Sequence, residues 1–409
     1  MKVVHILGRG VEGCGVTRFT LEMKNWAIKQ GWEYTIYAPT DKKWTRGSAH
    51  ELDQNVKQWR WGKPSRNSTQ HGVDLIIEDA NKADFVIFGS IPSKSHPQEC
   101  IDAFDKLLNA ITTQKVMIQH DHNMLSIRRN ANLEQTTRKM DVIFCLSSKN
   151  PFANYCKSVN ATENLFSFCN GIDMDLIQSK YWKKDIAEQD PRHLKWIGRS
   201  TFWKGLDILF DFYERYTKEL PLLITLEGLE RSIQFVNIRD MYDFHEMDGD
   251  IAQAKLEYGT KPYVFGPYNN SEMLERMSKC GFGFQLTRLN PEYIENFVEY
   301  THLEVVAAGA IPVFRKSYGT YCKHPITGNP LIEDKDTGTL WAEEPGGDHT
   351  ELRKNISKLI SDSKMRDEWR HAAYEYYSSH SKADISFPAF FEKAKIEKKT
   401  PVDLTSFFG

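Results

Sequence analysis

Long apolar runs are missing from this chain of 409 residues. None approaches the ~18 residues that a membrane span requires, so no membrane partner is expected. Paired cysteines are missing as well. The seven that occur, Cys14, Cys100, Cys145, Cys156, Cys169, Cys280 and Cys322, are odd in number and form no CxxC pair. This argues against a disulfide framework and against structural zinc, and points to reduced intracellular thiols. Excess charge is scarce too. With a formal net charge of -2, the whole protein is no polycation, and any nucleic acid has to meet a local basic patch. The run after Met1, "KVVHILG", is too short for a signal-peptide core with its flanks. No internal repeat or low-complexity tract is evident, and a cytosolic protein of enzyme size is expected.

What the chain does have is alternation. Val3–Leu7, Tyr34–Ala38, Phe85–Phe88, Val116–Gln119 and Val142–Leu146 read as buried strands. Helical patterns lie between them. In Val16–Gln30, for example, Val16, Phe19, Met23, Trp26 and Ala27 share one face. A second series of strands follows, at Leu194–Ile197, Leu222–Leu226, Tyr263–Phe265, Phe282–Leu286 and Ile311–Phe314. The fold class is therefore α/β, with parallel sheets covered by helices. Single cores stop growing at roughly 250–300 residues, so two domains are expected. The charged break Gln178–His193 is read as the linker. Residues 1–177 then form the first Rossmann-like domain and 194–364 the second. Residues 365–395 supply helices returning to the first domain, and 396–409 a tail.

Three segments carry candidate chemistry. "GRGVEGCGVTRF", Gly8 to Phe19, leaves the first strand and opens a helix. Its glycines, Gly13 and Gly15 among them, let backbone approach a ligand, and the helix start favours negative charge. A Rossmann cofactor site lacks its acidic ribose partner at the usual spacing, and a plain tight turn stays open. "WIGRSTFWKG", Trp196 to Gly205, places Arg199 and Lys204 at a strand's carboxyl end, where two cations neutralise a diphosphate. A solvated basic loop is the plainer alternative. In "EYTHLEVVAAGAIPVF", Thr301 to Ala308 reads as helix, ended by Gly309. On a regular helix Glu299 and Glu304 lie about 140° apart. They share a ligand only if Glu299 precedes the helix; surface carboxylates are the alternative.

Together these segments resemble a retaining GT-B nucleotide-sugar glycosyltransferase, and "NGID" at Asn170–Asp173 fits. "EGCGVTRF", "QHDHNMLSIRRN", "WIGRSTFWKG", "LEGLERS", "NSEMLERMSKCGFGFQL" and "EYTHLEVVAAGAIPVF" are similar to the DNA α-glucosyltransferases of T-even bacteriophages, in order from about residue 8 to 316. The resemblance implies two facing domains with a donor cleft between them. It implies transfer of a sugar, glucose by closest likeness, from a UDP-sugar donor to 5-hydroxymethylcytosine in duplex DNA. This would occur in the cytoplasm of the infected bacterial host and shield phage DNA from nucleases. No cofactor and no metal are required. Arg199 and Lys204 are expected to hold the diphosphate, Glu304 the ribose and Glu299 the sugar, with amides around Gly13 and Gly15 approaching the donor. Arg315 stands where an aromatic residue is expected, which keeps UDP-arabinose open as an alternative donor. A GT-B enzyme on a small acceptor and a non-catalytic DNA- or clamp-binding protein are further alternatives.

The same resemblance directs "QHDH" at a strand end towards the donor. Asp121 is expected to accept the acceptor proton or stabilise the oxocarbenium charge, and His120 to position the sugar or assist. Double displacement and a front-face route both stay open, as does a purely structural cluster. Lys43, Arg46, Arg60, Arg66, Arg128 and Arg129 supply the local basic patch, and base flipping is expected for an enzyme that acts on a base. Trp44, Trp59 and Trp61 are candidates for base stacking or for packing. The terminal "KKTPVDLTSFFG" presents Leu404, Phe407 and Phe408, and resembles tails by which phage polymerases hold a sliding clamp. A tail folded onto the protein's own surface is the alternative.

Overall fold

The structure is a computed structural model, and it describes residues 1–8, 15–39, 56–59, 72–120, 127–147, 149–198, 204–227, 263–265, 270–288, 299–322, 328–333 and 337–395. Two compact units form. One holds the described residues up to 168 and those from 387 onwards; the other spans 169–386.

The first unit is built on a parallel sheet ordered β3-β2-β1-β4-β5-β6-β7. Its strands are β1 (Lys2–Leu7), β2 (Glu33–Pro39), β3 (Val56–Trp59), β4 (Phe85–Ser90), β5 (Lys115–Gln119), β6 (Val142–Cys145) and β7 (Leu165–Ser167). The inner strands are buried along nearly their whole length. This is why they read as continuous apolar runs rather than alternating ones. One core, around Ile6, Phe88, Phe104, Leu107, Met117, Ile143 and Phe152, joins the sheet to its crossover helices. The helix Gly15–Lys29 buries Phe19, Met23, Trp26 and Ala27. Against that helix and the sheet lies the end of the chain's last described helix, Ala383–Ala394. Phe391 stacks on Trp26 and meets Trp32 edge-on, Phe390 stacks on Phe144, and Phe387 meets Phe19 edge-on.

The second unit carries a parallel sheet ordered β10-β9-β8-β11-β12-β13. These strands are β8 (Asp190–Ile197), β9 (Leu223–Glu227), β10 (Tyr263–Phe265), β11 (Cys280–Gln285), β12 (Ile311–Arg315) and β13 (Leu340–Ala342). Leu194, Trp196, Phe282, Phe284 and Val313 form its core with Leu206, Phe210, Phe212, Leu352 and Ile356 from flanking helices.

The boundaries differ from those drawn on the sequence. Residues 178–193, read as linker, lie inside the second unit. They finish the helix Met174–Tyr181, form the short turn Ile186–Glu188 and open β8 at Asp190. The charge there decorates the solvated amino end of a strand, whose burial rises only from Leu194. Residues 365–386 also belong to the second unit, and only those from Phe387 return to the first. Among the described residues no helix is long and apolar enough to cross a membrane.

Candidate active site

In the first unit, β5 runs out at Gln119 and delivers His120 to the sheet's carboxyl edge. Such edges are where open α/β sheets bind ligands. The imidazole is half-buried. Phe19 and Phe168 meet it edge-on at 5.0 and 5.3 Å. Burial lowers its pKa to about 3, so the ring is neutral, and among the described residues its Nε2 has no hydrogen-bond partner. A second histidine lies deeper in the same sheet. His5, fully buried on β1, pairs through Nδ1 with the Tyr34 hydroxyl at 2.8 Å. Burial, then the charge of His120, lowers its pKa to about 3 as well. Gly89 makes room for it, since a Cβ there would lie 2.4 Å from His5 Nε2.

Gly8 is equally constrained. Its N–H donates to Ser90 O, and a Cβ would lie 2.7 Å from that oxygen. Gly15 opens its helix with nothing within 4 Å of a Cβ. Arg128 and Arg129 are exposed, and the adjoining loop brings Lys94 alongside. Ser93 bridges Asn130, and the Lys94 N–H donates to Arg129 O at 2.7 Å. Asp121, Gly13, Lys43, Arg46, Arg60, Arg66, Leu404, Phe407 and Phe408 lie outside the described residues, and so does Arg199 in the second unit.

In the second unit, Lys204 stands just before the helix Leu206–Tyr216, in the turn that follows β8. Its Nζ donates to both oxygens of Glu299, at 2.8 and 2.6 Å. Glu299 occupies the N-cap position of the helix Tyr300–Ala307, ahead of the helix rather than on its face. Glu304 lies within that helix and is buried. Glycine at 309, with φ of 87°, follows the helix. Burial pushes the Glu299 carboxyl up; Lys204, His302 and the Thr287 hydroxyl outweigh it and leave the group at about 2.

Several polar groups around this pair carry no motif. Thr287 Oγ donates to Glu299 at 2.8 Å, and His302 Nδ1 lies 4.0 Å from the same carboxylate. Arg288 grips buried Asp207 through both terminal nitrogens and also reaches Glu344, which Arg315 holds in turn. Deeper in the sheet Lys195 on β8 pairs with Glu227 at the end of β9 at 2.6 Å, and Arg276 takes the same carboxylate. The only sequence signals for these groups are single charged or hydroxylated residues inside apolar runs. Among the described residues no three His, Cys, Asp or Glu converge to hold a metal.

A sequence model described as DNA alpha-glucosyltransferase matches residues 14–364. The chain belongs to the DNA alpha-glucosyltransferase family. It is 36% identical over 408 residues to the DNA alpha-glucosyltransferase of Enterobacteria phage T4, covering 96% of this chain and 99% of that one. A solved alpha-glucosyltransferase in complex with UDP and a 13-mer DNA containing a HMU base superposes with a TM-score of 0.83, at 34% identity, over 97% and 99% of the two chains. A UDP complex of Anabaena HepE, at 14% identity and TM-score 0.59 over 96% and 99%, shares the fold alone. DNA alpha-glucosyltransferases are UDP-sugar-dependent glycosyltransferases, and the two parallel sheets with flanking helices are of the GT-B class.

Proposed function

We propose that the protein transfers glucose from UDP-glucose to the hydroxyl of 5-hydroxymethylcytosine in duplex DNA, with retention of anomeric configuration. The observation that carries this reading is the buried-edge ion pair of Lys204 and Glu299, at strand and helix ends of a chain matched along its length to DNA alpha-glucosyltransferases. One related structure is described with UDP-glucose and DNA containing an abasic site, another with UDP and HMU-containing DNA. These relatives name glucose, and the arabinose alternative has no support among them.

In this reading Lys204 and Arg199 meet the diphosphate, Glu299 the sugar and Glu304 the ribose, with amides at Gly13 and Gly15 nearby. Asp121 takes the acceptor proton or faces the developing positive charge. His120, neutral and with Nε2 unpartnered among the described residues, acts by hydrogen bonding rather than by charge. Arg128 and Arg129, with Lys43, Arg46, Arg60 and Arg66, meet DNA phosphates. The work is done in the cytoplasm of the infected host.

Nucleosides from hydroxymethylcytosine-containing duplex, incubated with enzyme and UDP-glucose or UDP-arabinose, should gain a hexose mass and no pentose mass. A pentose increment would overturn the sugar, and no increment would overturn the reaction. The tail with Leu404, Phe407 and Phe408 docks on the phage sliding clamp. Deleting Pro401–Gly409 should abolish clamp binding and spare activity on short DNA; undiminished binding would refute the docking.

A further inference from the structure

A carboxylate that meets a sugar has to hold one orientation, and Glu299 gets none from the position it occupies. It sits at a helix N-cap, yet its side chain makes no capping hydrogen bond. The carboxylate turns instead to Lys204 and Thr287. Lys204 Nζ donates to both oxygens, and Thr287 Oγ donates its single proton to Oε2 at 2.8 Å. The same hydroxyl lies 3.4 Å from Lys204 Nζ and can accept from it, which fixes the direction of its proton. Thr287 lies two residues beyond the end of β11 and is almost fully buried, so packing rather than strand pairing holds the hydroxyl in place.

On the other side the carboxylate faces His302. That ring is wedged against Phe314 and Tyr318, with centroids 4.3 and 6.1 Å away. Burial holds it neutral, with a pKa of about 4, and it bonds the backbone of Gln285. Its buried Nδ1 has no hydrogen-bond partner among the described residues and stands 4.0 Å from Glu299 Oε2, beyond hydrogen-bonding range. His302 therefore gives the carboxylate no hydrogen bond.

Lys204 has two claims on it once a donor is bound, because a diphosphate competes with Glu299 for the ammonium. Thr287 has one. We propose that Thr287 is the positioning residue for Glu299, holding the carboxylate towards the donor sugar when the diphosphate draws on Lys204. This rests on the reading of Lys204 and Glu299 as donor-binding groups, and the experiment separates the two.

Steady-state kinetics of Thr287→Val, Thr287→Ser and Glu299→Gln, each alone and with Thr287→Val added to Glu299→Gln, decide it. Thr287→Val should raise KM for UDP-glucose by about 10- to 100-fold, the worth of a hydrogen bond to a charged group. KM for DNA should stay unchanged. Thr287→Ser should restore donor KM, and in the Glu299→Gln background Thr287→Val should add little. Thr287→Ala serves the same comparison if the valine variant does not fold. Wild-type donor KM in Thr287→Val beside an impaired Glu299→Gln would overturn the positioning role alone. So would full additivity of the two. Wild-type kinetics in Glu299→Gln would overturn the donor role and the proposal with it.

Discussion

The two units share a parallel sheet but differ in whether charge is buried on its strands. The second buries it. Lys195 and Glu227, Arg288 and Asp207, and the partly covered Lys204 and Glu299 are paired at 2.5–2.6 Å at the closest approach of each pair. The first buries charge too, Lys24 fully on the helix Gly15–Lys29, but none on the described residues of its strands. At its sheet lie His5, fully buried, and His120, half-buried at the edge, both held uncharged by burial, while the cations Lys94, Arg128 and Arg129 stay on the surface. Buried pairs suit a small charged ligand, because the partners are already desolvated and oriented before it arrives. Exposed cations suit a long polyanion, which is held by many screened contacts and needs none of them fixed. Under the proposed function, the difference fits a second unit that meets the nucleotide-sugar and a first that meets DNA.

That contrast can be tested from the strongest effect downwards. His120→Ala should lower turnover by about 10²–10⁴-fold, the usual worth of a positioned hydrogen-bonding or proton-transferring group, with folding intact by thermal melting. Wild-type turnover would remove His120 from the chemistry. Next, Lys195→Met should cost roughly 3–5 kcal/mol in urea unfolding, because Glu227 stays buried with half its compensation gone. A smaller loss, near that of a surface change, would mean Arg276 alone suffices.

Acid should then separate the neutral histidines from the rest. His5 and His120 sit at about 3, and His302 and His193 at about 4, all below the ordinary value of 6.5. The unfolded chain binds protons at these sites that the folded one refuses. Their contribution is therefore complete above about pH 6.5 and is lost as pH falls towards 3–4. Glu299, at about 2, adds its own loss only below the ordinary carboxyl range near 4.5. Melting temperatures should fall from pH 6.5 to 4.5, and His5→Gln should flatten that fall. An unchanged slope would place the proton uptake elsewhere. The smallest effects belong to the surface. Lys94→Ala, Arg128→Ala and Arg129→Ala should leave stability and donor KM alone. Each should reduce the slope of log K for DNA against log salt by about 0.9. An unaltered slope would show that phosphates pass that loop by.

Much of this architecture was legible because inner strands of a parallel sheet are largely apolar, and five such runs in the first unit and four in the second announced themselves. The edges did not. β3 (VKQW), β7 (LFS) and β13 (LWA) are three or four residues long, with too few side chains to show a period. At the site, Lys204 and Glu299 could be picked by residue type and by place after a strand or before a helix. Thr287, His302 and His5 could not. A lone threonine or histidine in an apolar run looks the same whether it caps, fills or positions, and only the partner across the fold distinguishes these. Lys195 and Glu227 are 32 residues apart in the chain, joined by strand pairing that no local pattern encodes.

The aromatic seam of Phe387, Phe390 and Phe391 with Phe19, Trp26, Trp32 and Phe144 has a consequence for how the protein is made. The ribosome delivers Trp26 early and Phe391 only after all of residues 169–386. At about 5–20 residues per second, that leaves the first sheet's helix face open for on the order of 10–40 s. The second unit can fold as it emerges; the first, begun earlier, has to wait for it to be finished. A nascent chain stalled between the two would carry a bare strip of tryptophan and phenylalanine, the kind of surface chaperones hold and proteases find.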